Sequence, residues 1–290
     1  MADDGSAGGR METIEEAAVE FRPEDAVAIQ PSAYVLELSP DWIVLRASEN
    51  IHRLLRESHV TLIDEPLGRF VHAQALHDLR NLFSRLSGTT GIARAYGIRL
   101  TDDPDLVDVA FQLGESHVLL EAVPSTGAFG ECFGSVGGLI GGLADAQGQA
   151  LLDNGARRMR ALTGYDRVTL VCGDKRAESS RGAFPQPNPM DDVPAIIADL
   201  ESRPVSLFPR NAGETSVGDA LMCSATSHAS AALRDQGIRA SMRVPFAYDG
   251  IRGEFRCDSR TPREPCFEMH AAAELFAQLF AMQLEIDRLR

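Results

Sequence analysis

The sequence predicts an α+β protein of two domains, each an antiparallel sheet with flanking helices, which ends in a long C-terminal helix. A length of 290 residues favours two ordinary domains or one large one. Short strand patterns and amphipathic helix patterns occur in two successive sets. A glycine-rich, nearly uncharged segment over 125–143 separates the sets and predicts a linker. We therefore expect an acidic, disordered segment 1–25, a first domain 26–124 and a second domain 144–290.

The first domain opens with a predicted hairpin, in which the strands AYVLEL and WIVLRA flank the turn SPD. Ser48 is placed to cap a following helix whose apolar face carries Ile51, Leu54 and Leu55. A second amphipathic helix is predicted over 72–86. Three strand patterns follow, GIARAYGIRL, LVDVAFQL and HVLLEAV, and they complete an antiparallel sheet.

The second domain is predicted to be another sheet with flanking helices. Its elements in chain order are a helix over 144–163, the strand YDRVTLVC, a polar loop over 173–189, a helix over 194–202, the strand PVSLF, the helix that contains His228, the strands IRASMRVPFAY and GEFRC, and a helix over 264–290.

Composition excludes several classes of function. A formal net charge of −14 argues against a nucleic-acid surface, which needs clustered Lys and Arg to displace counterions. The chain has no apolar run of ~18 residues, so we expect no membrane span. Its opening residues lack the basic start and apolar centre of a signal peptide, which predicts a cytoplasmic location. Five cysteines without a CxxC pair predict free, buried thiols.

No catalytic constellation emerges from the spacing of reactive residues. Gly130-Glu-Cys132-Phe-Gly134 resembles a nucleophile elbow, but six residues separate it from the strand that ends at Val123. None of the seven histidines stands four residues from another, the spacing that pairs imidazoles around a metal on a helix. The adjacent acids Asp102-Asp103 and Asp191-Asp192 are expected to be solvated loop charges. We expect no enzyme, and any kinase or cyclase output would lie outside this chain.

Several segments, in order, resemble the PAS and GAF domains of bacterial phytochromes. IQPSAYVLELSPDWIVLRASENIHRLL and YGIRLTDDPDLVDVAFQLGESHVLLEAVPS resemble the start and end of that PAS domain. LTGYDRVTLV, PMDDVPA, LRDQGIRASMRVPFAYDG and AAAELFAQLFAMQLE resemble parts of the GAF domain, with Asp192 at the family aspartate. The resemblance implies a sensory module, a linear tetrapyrrole in the GAF pocket, and a figure-of-eight knot in which the N-terminal segment threads a GAF loop.

Carried over residue by residue, the resemblance implies a degenerate pocket. The bacterial attachment cysteine falls on Ala18, and the pocket histidine falls on Ala229, with His228 directly before it. In the other branch of the family that preceding residue is the attachment cysteine, so neither thioether can form. A one-residue shift of the alignment would instead make His228 the pocket histidine.

The anchors of the pigment are changed as well. The two propionate-binding arginines fall on Cys223 and near Ser206, although Arg203 or Arg210 could replace the latter if the alignment slips. The family Cys-His-His run reads Cys257-Asp258-Ser259. Family-like residues are kept at Asp192 and Ser241.

These changes predict a sensory module that has lost its bilin and acts through protein–protein contacts. One alternative is a red-light photoreceptor that binds biliverdin noncovalently through His228 and Asp192. A second is a GAF sensor of another small ligand, for which the small side chains of Ala225, Ala229 and Ala232 leave room.

The C-terminal helix carries a heptad pattern, which predicts a homodimer. The apolar positions at alternating spacings of four and three are Leu275, Leu279, Met282, Ile286 and Leu289. A second set, Ala272, Phe276 and Phe280, is expected to face the core of its own domain. The alternative is a single wide buried face. A separate output protein, such as a histidine kinase, is a further expected partner.

Overall fold

The computed structural model describes residues 28–86, 91–114, 117–127, 130–186, 193–210 and 220–290. The strands are β1 Ala28–Ile29, β2 Tyr34–Leu38, β3 Val44–Ser48, β4 Ile92–Ile98, β5 Val107–Leu113, β6 Val118–Pro124, β7 Arg167–Cys172, β8 Lys175–Ser180, β9 Ile196–Ile197, β10 Val205–Phe208, β11 Ala240–Tyr248 and β12 Ile251–Ser259. The α-helices are α1 His52–Leu55, α2 His59–Leu62, α3 Ala73–Leu86, α4 Glu131–Gly141, α5 Gly148–Thr163, α6 Ser227–Asp235 and α7 Phe267–Arg288, and a 3-10 helix spans Leu67–Arg69.

The strands form two antiparallel sheets. The first has the order β1-β10-β3-β2-β6-β5-β4, and the second has the order β8-β7-β12-β11-β9. β10 comes from the second half of the chain but pairs with β3, where Leu207 lies opposite Ser48. The second half therefore completes the edge of the first sheet.

The first sheet is buried on both faces. Along β6, Leu120 and Ala122 pack with helices α1–α3, whereas Leu119 and Val123 pack against the second half of the chain. Successive side chains of a strand point to opposite faces, so both sets must be apolar if both faces are covered. This is why β5 and β6 are almost continuously buried.

The second sheet has one face against α5 and α7. Val168 and Phe255 of this face contribute to the same core as Phe276 and Phe280 of α7. α5 approaches α7 closely at Gly155, where an added Cβ would lie 2.4 Å from a carbon of the Phe280 ring. The predicted inward-facing set on the C-terminal helix is therefore confirmed.

Three local predictions were wrong. Ser48 does not cap a helix: it ends β3, and its Oγ accepts a hydrogen bond from the Val35 amide at 3.1 Å. The predicted loop over 173–189 contains β8. The predicted helix over 194–202 contains β9 instead, because Ile196 and Ile197 find pairing partners on β11, and such tertiary pairing overrides local propensity.

The glycine-rich segment contains a helix, α4, that the sequence did not predict. Four glycines within eleven residues give this helix a weak intrinsic propensity. Its N-terminus is held by the Glu268 carboxylate of α7, which accepts hydrogen bonds from Gly130 N at 2.8 Å and Cys132 N at 3.3 Å. A negative charge at this end also suits the helix dipole.

The segment 28–30 lies between β10 and the chain around Cys223, both from the second half of the chain. Ala28 pairs with Ser206 on one side, and Ile29 forms a bridge with Cys223 on the other. Gln30 donates from its backbone to Met222 O at 3.0 Å. Residues 1–27 and 211–219 lie outside the described residues, so the figure-of-eight knot stays a prediction.

Candidate ligand-pocket face and exposed helix face

Asp258 lies at the centre of a polar row on the second sheet, on the face turned away from α7. Antiparallel register places Ser241 and Arg167 directly beside it on the two neighbouring strands. Ser241 Oγ donates to Asp258 Oδ1 at 2.9 Å, and Arg167 Nε and Nη2 donate to Oδ2 at 3.0 and 2.6 Å. All three residues are completely buried.

Two further residues enclose this row. Arg256 donates from Nε to Asp258 Oδ1 at 3.1 Å. Gln236, at the end of α6, accepts from the Nη2 atoms of Arg167 and Arg256 at 3.3 and 3.2 Å. Arg167 also donates to the carbonyl of Pro185 at 2.7 Å. We call these five side chains, Arg167, Gln236, Ser241, Arg256 and Asp258, the Asp258 cluster.

The Asp258 cluster uses the acceptors of its carboxylate for internal bonds. Both oxygens accept from charged donors, and such bonds contribute about 1.5–3 kcal/mol each. A buried carboxylate without these partners would cost several kcal/mol. The position of the Asp258 carboxylate is therefore fixed, and its oxygens are already hydrogen-bonded to other side chains of the cluster.

The two histidine-related positions on α6 point in different directions. Ala229 is buried in a small apolar cluster with Val193, Ile197 and Leu233. His228 is exposed. One residue turns a helical side chain by about 100°, which accounts for the difference.

The two positions aligned with propionate anchors lie at the junction between the sheets. Ser206 pairs with Ala28, and Cys223 is buried in an apolar cluster with Ile29. Of the possible replacements, Arg210 pairs with Glu49 of the first domain at 2.6 Å, and Arg203 is exposed.

The remaining predicted positions are distributed as follows. Ser259 is buried and donates to Asp166 Oδ2 at 3.2 Å. Ala18 and Asp192 lie outside the described residues. Cys132 stands in the first turn of α4, where burial raises the pKa of its thiol to about 11 and keeps it protonated.

Sequence reasoning missed Arg167, Arg256 and Gln236. A signal for the first two existed, because Val168 and Leu170 of β7 and Phe255 and Cys257 of β12 alternate with them and face the core. Gln236 gave no such signal, since its position depends on where α6 ends.

A second polar group joins the two halves of the chain. Glu121 is fully buried on β6, and its carboxylate accepts from Leu221 N at 2.8 Å and Met222 N at 3.0 Å. Gln30 extends the joint, since its side chain donates to Ile196 O at 2.6 Å and accepts from Ala198 N at 2.7 Å. We call Gln30 and Glu121 with these backbone partners the junction cluster.

The helix α7 leaves its heptad face exposed. Leu275, Met282 and Ile286 are 43%, 43% and 46% exposed, and Leu289 is 76% exposed. Leu279 lies at the margin and is partly buried. The inward set and this outward set occupy different faces of one helix, which argues against a single wide buried face.

Two negative observations concern the described part of the chain. It contains no group of three or more His, Cys, Asp or Glu side chains arranged to hold a metal ion. Among its helices, none combines the length and apolar character that crossing a bilayer requires.

Comparisons with known proteins bear on the class of this fold. No protein-family model matches the chain. A bacteriophytochrome of Pseudomonas aeruginosa is 26% identical over 292 residues, which cover 89% of this chain and 39% of that protein. The chain thus spans well under half the length of this curated relative.

Solved structures give the same answer. The chromophore-binding domain of an unusual bacteriophytochrome from R. palustris is 25% identical, with a TM-score of 0.72 over 92% of this chain and 98% of that one. A mutant chromophore-binding domain of the Stigmatella aurantiaca bacteriophytochrome, in the Pr state, shares the fold. Its TM-score is 0.76 at 22% identity, over 91% of this chain and 98% of that one.

The fold class predicted from the sequence is confirmed. A PAS-like sheet followed by a GAF-like sheet and a long helix defines a two-domain sensory module. Within that class the chain is phytochrome-like, and it resembles the photosensory module of the bacteriophytochromes.

Proposed function

We propose that this phytochrome-like module has lost bilin binding and signals through protein–protein contacts. One observation carries the first half of the proposal: the Asp258 carboxylate is enclosed by two guanidinium groups and a hydroxyl. The family resemblance places a pigment-facing histidine at this position. An ionised carboxylate only accepts hydrogen bonds, so it would repel the pigment carbonyl that a histidine could bind.

Energetics support the loss. The Asp258 cluster would have to open to admit a pigment group, and breaking one partner from a buried ion pair costs about 3–5 kcal/mol. The missing propionate arginines remove further charge-assisted bonds of about 1.5–3 kcal/mol each. Since 1.4 kcal/mol is about tenfold in affinity, these changes weaken binding by several orders of magnitude.

The test is an absorption spectrum after incubation with excess biliverdin, gel filtration and red illumination. We expect the pigment to elute apart from an unchanged protein. A retained, sharpened red band that responds to light would contradict the proposal and favour noncovalent biliverdin. The variant Ala229→His restores the family residue, and pigment retained by this variant alone would locate the loss at that position.

We infer that the chain associates as a homodimer through the exposed face of α7. Four large apolar side chains at heptad spacing make a seam of the kind that pairs helices. Sedimentation of the wild type should give the mass of two chains, and Ile286→Glu should give one. Val60→Glu is the matched control, because Val60 is also an exposed apolar residue but lies on α2 rather than on α7, and it should leave the dimer intact.

The module itself is inferred to be a cytoplasmic, non-catalytic sensor. Its partner would be an output protein or domain, such as a histidine kinase, that reads the position of α7. A pull-down with wild-type and Ile286→Glu chains would test this arrangement, since the variant should lose the output partner together with the dimer. An output partner retained equally by both would contradict a role for the seam.

A further inference from the structure

A cavity of about 520 Å³ lies at the hairpin end of the second sheet, away from the Asp258 cluster. Arg167 and Cys172 mark the two ends of β7, so about 17 Å of strand separates the two regions. Four segments surround the cavity: the β7–β8 turn, the β11–β12 turn, the first turns of α5 and the last turns of α7.

Tight turns create the space. β7 and β8 are joined by Gly173-Asp174, and β11 and β12 by Asp249-Gly250, both two-residue connections. Gly173 and Gly250 adopt φ values of +61° and +82°, which suit glycine in such hairpins. The two turns therefore end side by side and leave a gap that the α7 terminus covers.

The inner wall of the cavity is apolar. Leu152 is buried, and Ile251 and Leu284 are partly buried against the domain core. Burial raises the pKa of the Cys172 thiol, so it remains neutral and adds to this wall. The lining residues include no aromatic ring, which disfavours a nucleobase or other stacked ligand.

The rim carries three basic side chains, Lys175, Arg252 and Arg288, and two acidic ones, Asp174 and Asp287. Lys175 and Arg252 line it, and within the described residues neither makes an ion pair with a carboxylate. Arg288 is already held by Glu285 at 2.7 Å, and Asp287 accepts from Gly148 N at 2.9 Å. Asp174 is the remaining carboxylate on the rim.

We propose that this cavity binds a small amphipathic carboxylate, of the chemistry of a medium-chain fatty acid anion. The apolar wall takes the hydrocarbon, and Lys175 and Arg252 take the carboxylate, which matches the geometry of a guanidinium fork. The volume falls in the range of small-molecule sites, about 300–1,000 Å³. This site goes beyond the proposed function and does not depend on the fate of the bilin pocket.

The test is isothermal titration of the whole chain with sodium decanoate below its micelle concentration. We expect one saturable site in the wild type. Decylamine, which has the same tail and the opposite charge, should bind at least tenfold more weakly. The double variant Lys175→Glu/Arg252→Glu should lose at least tenfold in decanoate affinity, since both cations are exposed and the fold does not depend on them.

Arg176→Glu is the matched control. Arg176 is the next residue of the same hairpin, but it pairs with Glu178 and does not line the cavity, so decanoate affinity should be unchanged. Methyl NMR shifts at Leu284 and Ile251 upon decanoate addition would support the location. No saturable binding, equal affinity in the double variant, or equal binding of decylamine would each overturn the proposal.

Discussion

Glu121 and Asp258 are both completely buried carboxylates, yet their partners differ. Asp258 is paired with the guanidinium groups of Arg167 and Arg256. Glu121 accepts from two backbone amides and from the side-chain amide of Gln112 at 3.3 Å. Burial raises the pKa of Glu121 to about 7, because neutral donors only partly replace the lost hydration.

The charge of Asp258 is held by ion pairs inside one domain, whereas Glu121 lies between the two domains and can change its charge. Ion pairing holds the Asp258 cluster together within the second sheet. The junction cluster links β6 of the first sheet to the chain at residues 221 and 222 of the second half. Its carboxyl group changes charge near neutral pH, so the strength of the link between domains depends on pH.

The largest expected effect comes from removing the anion of the fixed cluster. Asp258→Ala leaves Arg167 and Arg256 without their shared carboxylate, and such a loss costs about 3–5 kcal/mol of unfolding free energy. Urea denaturation measures it. Asp174→Ala, in an exposed turn of the same sheet, should stay within about 0.5 kcal/mol of the wild type. A loss in Asp258→Ala as small as that in Asp174→Ala would contradict a structural role for the ion pairs of Asp258.

The raised pKa of Glu121 predicts the direction in which the free energy of unfolding changes with pH. The folded pKa of Glu121 is raised from 4.5 to about 7, so the native state binds more protons than the unfolded state between these values. The contribution of Glu121 to the free energy of unfolding is therefore fully present below a pH of 4.5 and is lost as pH rises through about 7. The full change corresponds to about 3 kcal/mol.

Glu121→Gln isolates this contribution. His270 works in the opposite direction, since burial lowers its pKa from 6.5 to about 4 and its contribution to stability grows as pH rises through that window. Arg94 also acts on both groups. The difference in stability between Glu121→Gln and the wild type should therefore shift in favour of the variant between pH 5 and pH 8. If the free energy of unfolding changed with pH equally in the two proteins, Glu121 would not be the group that titrates at the junction.

Gln30 tests the neutral part of the junction cluster. Gln30→Ala removes bonds to Ile196 O, Cys223 O and Ala198 N, all of them buried. Unsatisfied buried groups cost about 1–3 kcal/mol each, and partial relaxation suggests a net loss of about 2–3 kcal/mol, without a pH dependence. Thermal unfolding at two pH values checks both statements. Gln74→Ala on the exposed face of α3 is the control and should change little.

The smallest expected effect is at His228. The side chain is exposed on α6, so His228→Ala should alter the unfolding free energy by no more than about 0.5 kcal/mol. Chemical denaturation at pH 7 is sufficient to measure it. A loss above about 1 kcal/mol would indicate that His228 makes an interior contact like those of the two clusters.

Much of the fold could be predicted because the spacing of apolar residues and the turn residues between elements were clear in the sequence. Apolar residues recur at the spacing that burial of one face requires in the hairpin of β2 and β3, in the helix α3 and in the strands β11 and β12. The helix α4 could not be predicted, because its glycines oppose it locally and a carboxylate from α7 supports it. The two-residue strand β9 likewise depends on its partner β11.

The candidate site was less predictable than the fold. The resemblance alone is enough to predict changed pocket residues at Ala229 and Asp258. Which groups surround Asp258 depends on strand register, and the distance along the chain from Arg167 is 91 residues. Sequence patterns give no measure of such long-range pairing.

The sequence by itself determined the two-domain α+β class, the alternation that assigns each strand residue to a face, and the heptad pattern of the last helix, because these depend on local periodicity. The tertiary structure decided which strands pair across the two halves, that β10 completes the first sheet, and that Glu121 and Asp258 lie among different donors. Those outcomes depend on contacts between distant residues, where packing and desolvation outweigh local preference.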